Sequence, residues 1–169
     1  MTKQYTYGDS VIEFFPHDDN ELQELIQKAE NNYYSSIRSP IEVDKLSANI
    51  SFTKGPLTAA LPELIQLVQD GYTIRTDKYI GMQGGLLDVT LSIPQAQIDK
   101  DLIAVHADAT EAYEADRYKR NQTETEYQIS VTLARAARDE EKKQAAAAER
   151  AAHKARQQAL DDLRQAYAA

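Results

Sequence analysis

The chain has 169 residues, 27 acidic against 19 basic side chains, a formal charge of −8, and neither cysteine nor tryptophan. No stretch approaches the roughly 18 to 20 apolar residues of a membrane span, and the opening Met1-Thr2-Lys3-Gln4-Tyr5 lacks the apolar run of a secretory signal. Without cysteine there is no disulfide framework, thiol nucleophile or zinc knuckle, so the expectation is a soluble cytoplasmic protein.

Val11-Ile12-Glu13-Phe14-Phe15 reads as a strand that Pro16 stops. His17-Asp18-Asp19-Asn20 offers capping side chains to a helix whose stripe is Leu22, Leu25, Ile26, Ala29 and Tyr33. Leu46, Ala48, Ile50 and Phe52 alternate with Ser47, Asn49, Ser51 and Thr53, the period of a half-buried strand. Gly55-Pro56 turns the chain, and Leu61-Pro62 opens a second helix that Asp70-Gly71 ends. Two strands are expected next, over 72–80 and 86–93, with Gly81-Met82-Gln83-Gly84-Gly85 as the loop between them. A helix joins the strand near residue 50 to the strand near 75, which predicts parallel neighbours by a right-handed crossover.

All five prolines and all six glycines precede residue 95, and the remaining 75 residues hold neither breaker. That change permits long helices. Ile98, Leu102, Val105, Ala109, Ala112 and Tyr113 mark one helix to about Arg120, with a break expected at Asn121-Gln122-Thr123. Residues 125–133 fit strand and helix periods alike, and the helix formers that follow favour helix. From Ala134 to the end the helix is a rod of about 50 Å at ~1.5 Å per residue. The fold class is therefore α+β: a small four-stranded mixed sheet with two helices, ordered β-α-β-α-β-β over residues 1–94. A helical extension follows over 95–169, as a helical hairpin with residues 95–120 or as an oligomerising coil. The coil seam is Ala148, Ala152, Ala155, Ala159 and Leu163, with Leu160 and Tyr167 beside it, and a homo-oligomer is expected.

Signals of catalysis are sparse. His17 stands among capping acids, His106 and Asp108 are two apart on a helix and face different ways, and His153 lies on the rod. No histidine pair has metal-ligand spacing, and neither a Gly-x-Ser-x-Gly elbow nor a phosphate loop is present. The chain is expected to be no enzyme and to need no cofactor or metal.

What remains is binding. Ten of the thirteen aromatic residues are tyrosine, whose ring packs while its hydroxyl stays wet. The outer sheet face is expected to carry Ser47, Asn49, Ser51, Thr53, Thr73, Arg75, Asp77, Tyr79, Asp88 and Thr90. Tyr113, Arg117, Tyr118, Lys119 and Arg120 cluster at the expected helix end. Along the rod, Lys142, Lys143, Arg150, Lys154 and Arg156 face the single acid Glu149, and Lys143, Arg150 and Lys154 share one side. Cations interleaved with aromatic rings suit single-stranded nucleic acid, which needs stacking platforms and a phosphate track. Single-strand binding by an accessory or regulatory factor is thus the most specific expectation. A second is an adaptor or inhibitor of a host-defence or transcription complex, of phage or plasmid type, with its acidic segments 9–44 and 99–116 meeting a protein partner. A third is an assembly subunit that only self-associates.

Overall fold

The computed structural model describes residues 5–42 and 44–168. Its elements, in chain order, are α1 (Asp19–Ser35), β1 (Ile37–Arg38), β2 (Asn49–Lys54), α2 (Leu57–Gln69), β3 (Thr73–Ile74), β4 (Ile80–Gln83), β5 (Leu86–Ser92) and α3 (Gln95–Tyr167). The fold is α+β, with a mixed sheet of five strands rather than four. The chain forms two compact units. One is built on Pro16–Tyr118; the other joins Thr6–Phe15 to the helix from Lys119 onward. The expected boundary at residue 94 falls inside the first unit.

In the first unit β5 is the central strand. It pairs antiparallel with β2 from Asn49↔Ser92 to Lys54↔Leu87, and with β3 and β4 on its other edge. β1 pairs parallel to β2 at the sheet margin. Alternation decides what is buried: Phe52 of β2 and Leu87, Val89 and Leu91 of β5 share one face, where Ala60 and Leu64 of α2 cover them. Tyr33 of α1, Ala48, Ile93 and Ile98 of α3 close a second cluster, and Ile50 and Tyr72 touch both. Each fully buried aliphatic side chain here contributes about 1.5–3 kcal/mol.

Several expectations are corrected. β2 and β3 do run parallel, but they are not neighbours, because β5 lies between them. The strand expected over 72–80 is two short strands, separated where Arg75 folds back onto Asp77. The loop expected over 81–85 shrinks to Gly84-Gly85, whose φ angles of 59° and 82° suit a two-residue hairpin turn. α2 starts at Leu57, straight from the Gly55-Pro56 turn, so Pro62 falls inside the helix. Ser47 and Asn49, expected on the outer face, are buried. They can be because their polar atoms are taken: Ser47 Oγ donates to Ser36 O (2.6 Å), and Asn49 Nδ2 donates to Tyr34 O and Ser36 O (2.8 and 3.1 Å).

The helix break expected at 121–123 does not occur: α3 is unbroken over 73 residues, so no helical hairpin forms with residues 95–120, and residues 125–133 are helical. In the second unit, Val11–Phe15 is not a strand but a strap without strand partners. Its backbone groups are met by helix side chains instead. Asn121, fully buried at 0% exposure, accepts from Phe14 N and Phe15 N (both 2.7 Å) and donates to Phe15 O (3.1 Å). One turn on, Thr125 Oγ1 accepts from Ile12 N (3.0 Å) and donates to Asn121 O (2.8 Å). Of the three residues that suggested a break, Asn121 binds the strap, while Gln122 and Thr123 bond within the helix, to Glu126 and Lys119 O.

Candidate functional site

The residues singled out from the sequence fall into three groups. On the sheet, Arg75 is not a free cation. Its Nε and Nη2 reach the two carboxylate oxygens of Asp77 (2.7 Å each), and Nη1 donates to Asn49 Oδ1 (2.8 Å). The Arg75 hydrogen bonds hold the Asp77 carboxyl down at about 2. A guanidinium saturated in this bidentate way has little to offer a phosphate. Tyr79 is 61% exposed, and its ring lies over Gly81, so closely that a Cβ there would stand 2.4 Å from Tyr79 Oη. Thr53 Oγ1 donates to Asp88 (3.1 Å) on the same open face, so two carboxylates flank the Arg75–Tyr79 area.

The helix-end group separates into buried and exposed members. Tyr113 is 1% exposed; its hydroxyl accepts from Asp18 N (2.8 Å) at the α1 N-cap, and its ring meets that of His17 edge-on. It presents no face to a base, which corrects its placing in a nucleic-acid site. Arg117 is likewise buried, with Nε and Nη2 on Glu114 Oε2 (3.1 and 2.8 Å). Burial pushes the Glu114 carboxyl up, but hydrogen bonds from Arg117 and contact with His17 outweigh it and hold the group below the usual carboxylate range. His17 spends both ring nitrogens on carboxylates, Nδ1 on Glu114 and Nε2 on Asp19 (3.0 and 3.1 Å). Tyr118 packs its ring against Tyr5 at 4.9 Å. Lys119 is exposed, and Arg120 stands 6.0 Å from the Phe15 ring. Tyr113 and Arg117 are therefore not available as parts of an exposed surface.

The third group is on α3. Lys143, Arg150 and Lys154 are exposed, as are Ala148, Ala152, Ala155, Ala159, Leu160, Leu163 and Tyr167. Every residue from 132 to 168 is exposed. At 3.6 residues per turn, two residues advance about 200° around a helix. Arg150 and Lys154 stand two residues from Ala148 and Ala152, and Lys143 lies seven residues, about two full turns, before Arg150, so the three cations lie on the side opposite the alanine seam.

Sequence reading missed the buried polar anchors Asn49, Asp101 and Asn121. Asp101 accepts from Tyr33 Oη (3.1 Å) and Gln97 Nε2 (2.6 Å); burial first, then that hydrogen bond, push the Tyr33 phenol far up. The Gln97–Asp101 spacing of four was a readable helical pair, but the burial was not. Also missed was a groove of about 310 Å³ lined by Arg38, Ser39, Pro40, Ile50, Phe52 and Leu67. Among the described residues no group of three or more histidine or carboxylate side chains is placed to hold a metal ion. None of the described helices is long and apolar enough to cross a membrane. No family model, curated protein or solved structure matches the chain.

Proposed function

We propose that this chain is a non-enzymatic binding protein of the cytoplasm that self-associates through α3 beyond about residue 134. The observation that supports this reading is the uninterrupted exposure of residues 132–168, which leaves Leu133, Leu160, Leu163 and Tyr167 on the surface of a helix with an alanine seam. Most helical stability in proteins comes from packing one face against something. Alanine buries little area per contact, but it lets helices approach closely, and a seam continued over several turns adds up. Light scattering of the full chain tests this. The expected mass is a multiple of 19.0 kDa. Ala152→Glu together with Ala159→Glu should reduce it to the single-chain value, whereas Lys154→Glu, on the opposite side, should not. A full chain of single mass at tens of micromolar ends the reading.

A second reading, single-stranded nucleic acid as the ligand, is favoured by the position of Lys143, Arg150 and Lys154. A coil closed on the alanine seam leaves those cations pointing outward along its length. Binding then depends on phosphate contacts, with log affinity falling by about 0.7 per contact for each unit of log salt. Anisotropy of a labelled oligonucleotide at two salt concentrations checks it. Loss of affinity in Lys143→Glu with Lys154→Glu, and no loss in Tyr113→Phe, is the expected pattern.

A further inference from the structure

The margin of the sheet beside α2 has the form of a peptide site. β1 covers β2 only at Asn49 and Ile50, then leaves at Ser39-Pro40. β2 continues to Lys54, and among the described residues no strand lies along Ser51–Lys54 on that side. Alternate residues of an uncovered strand turn their N–H and C=O groups outward, ready to pair with an added strand. The vacated lane is four residues long, about 13 Å at ~3.3 Å per residue.

The lane is also a groove with walls. Ile50 and Phe52 form its floor, Leu67 of α2 its side, and Ser39 and Pro40 its near end. At the far end Lys54 Nζ is bonded to Glu63 of α2, which neutralises both. Arg38 is different. Register places it opposite Ile50, hence on the same face as the groove, and it is half-buried with no hydrogen bond or ion pair among the described residues. A half-buried guanidinium without a carboxylate partner favours an incoming carboxylate. Strand addition beside a helix supplies affinity from main-chain hydrogen bonds and selectivity from alternate side chains.

We propose that this lane receives an extended peptide from a partner protein, added to β2 as a strand, with an acidic side chain of the peptide on Arg38. The peptide carries apolar residues at alternate positions, facing Phe52 and Leu67. This site lies wholly within the first unit and stands or falls independently of self-association through α3.

The test is selection of a phage-displayed library of random heptapeptides on the full chain. Selected peptides should share alternate apolar residues and one Asp or Glu at a fixed place. Their affinity should fall roughly tenfold or more on Arg38→Glu, as for loss of a partly desolvated charge pair. Lysine in place of the acid should restore binding to the Arg38→Glu chain. In the unaltered protein, peptide binding should slow amide hydrogen exchange within Ser51–Lys54, a readout that needs no variant. Equal binding to both chains, protection elsewhere, or no enrichment from the library overturns the proposal. So does concentration-dependent protection of Ser51–Lys54 without peptide, because the lane is then filled by a second copy.

Discussion

The sheet of the first unit and the helix beyond residue 131 both carry cations, yet they use them in opposite ways. On the sheet and the adjoining turns of α3, Arg75 and Arg117 are bound internally, Arg75 by Asp77 and Asn49 and Arg117 by Glu114. On the distal helix, Lys143, Arg150 and Lys154 are exposed and make no ion pair among the described residues. A cation counts toward a binding surface only after its own neighbours have been subtracted. The overall charge of −8 hides this division, since it averages neutralised arginines with unneutralised lysines.

Hydrophobic side chains divide the same way, and this gives the largest expected effect. Leu91 is 0% exposed between β2 and β3, so Leu91→Ala should lower stability by about 2–5 kcal/mol through lost transfer energy and the cavity left behind. Chemical unfolding followed by tyrosine fluorescence measures it. Leu163 is exposed in the single chain. Leu163→Ala should leave the unfolding of the first unit unchanged and weaken self-association only. A large loss of first-unit stability in Leu163→Ala erases the contrast.

Next in size is the strap of the second unit. Asn121→Leu leaves the amides of Phe14 and Phe15 and the carbonyl of Phe15 without their side-chain partners. A buried unsatisfied group costs about 1–3 kcal/mol, and release of the strap to water limits the total to that order. Hydrogen exchange should rise at Phe14 and Phe15 while α3 stays helical. Unchanged exchange there would mean that Val11, not Asn121, holds the strap.

The elements legible in the sequence are those whose signal is periodic and local. The stripe from Leu22 to Tyr33 became α1, the alternation around Ile50 became β2, and the absence of glycine and proline after residue 94 became α3. What failed depends on distant partners. Val11–Phe15 has the composition of a strand, but its hydrogen-bond partners are side chains about a hundred positions later, on residues whose usual local role is to end helices. Parallel neighbours were inferred from a helical connection, and nothing local signals that the later β5 enters between β2 and β3. For the candidate site, neutralisation was partly readable. Glu114 precedes Arg117 by three on a helix, and Asp77 follows Arg75 by two across a turn. The burial of Tyr113 was partly readable, since it closes the apolar stripe that begins at Ile98, but the pairing of its hydroxyl with the Asp18 amide at the α1 cap was not. Nothing local to Arg38 signals that no carboxylate among the described residues pairs with it.

The smallest effect bears most directly on which cations are available. Arg75 hydrogen bonds hold the Asp77 carboxyl at about 2, below the value near 4 of an unfolded chain. A lowered carboxyl pKa means the pair is fully formed at neutral pH and is lost as pH falls through about 2. Because Asp77 is exposed, solvent screens the pair, and global stability is a poor probe of it. Carbon-detected titration of the Asp77 carboxyl reads it site by site. The full chain should titrate near 2, and Arg75→Gln should return Asp77 toward the ordinary range. An Asp77 that already titrates there in the unaltered chain means Arg75 is free in solution. The open sheet face, with Tyr79 beside it, then regains its place as an anion surface, and the contrast with the distal helix narrows to burial alone.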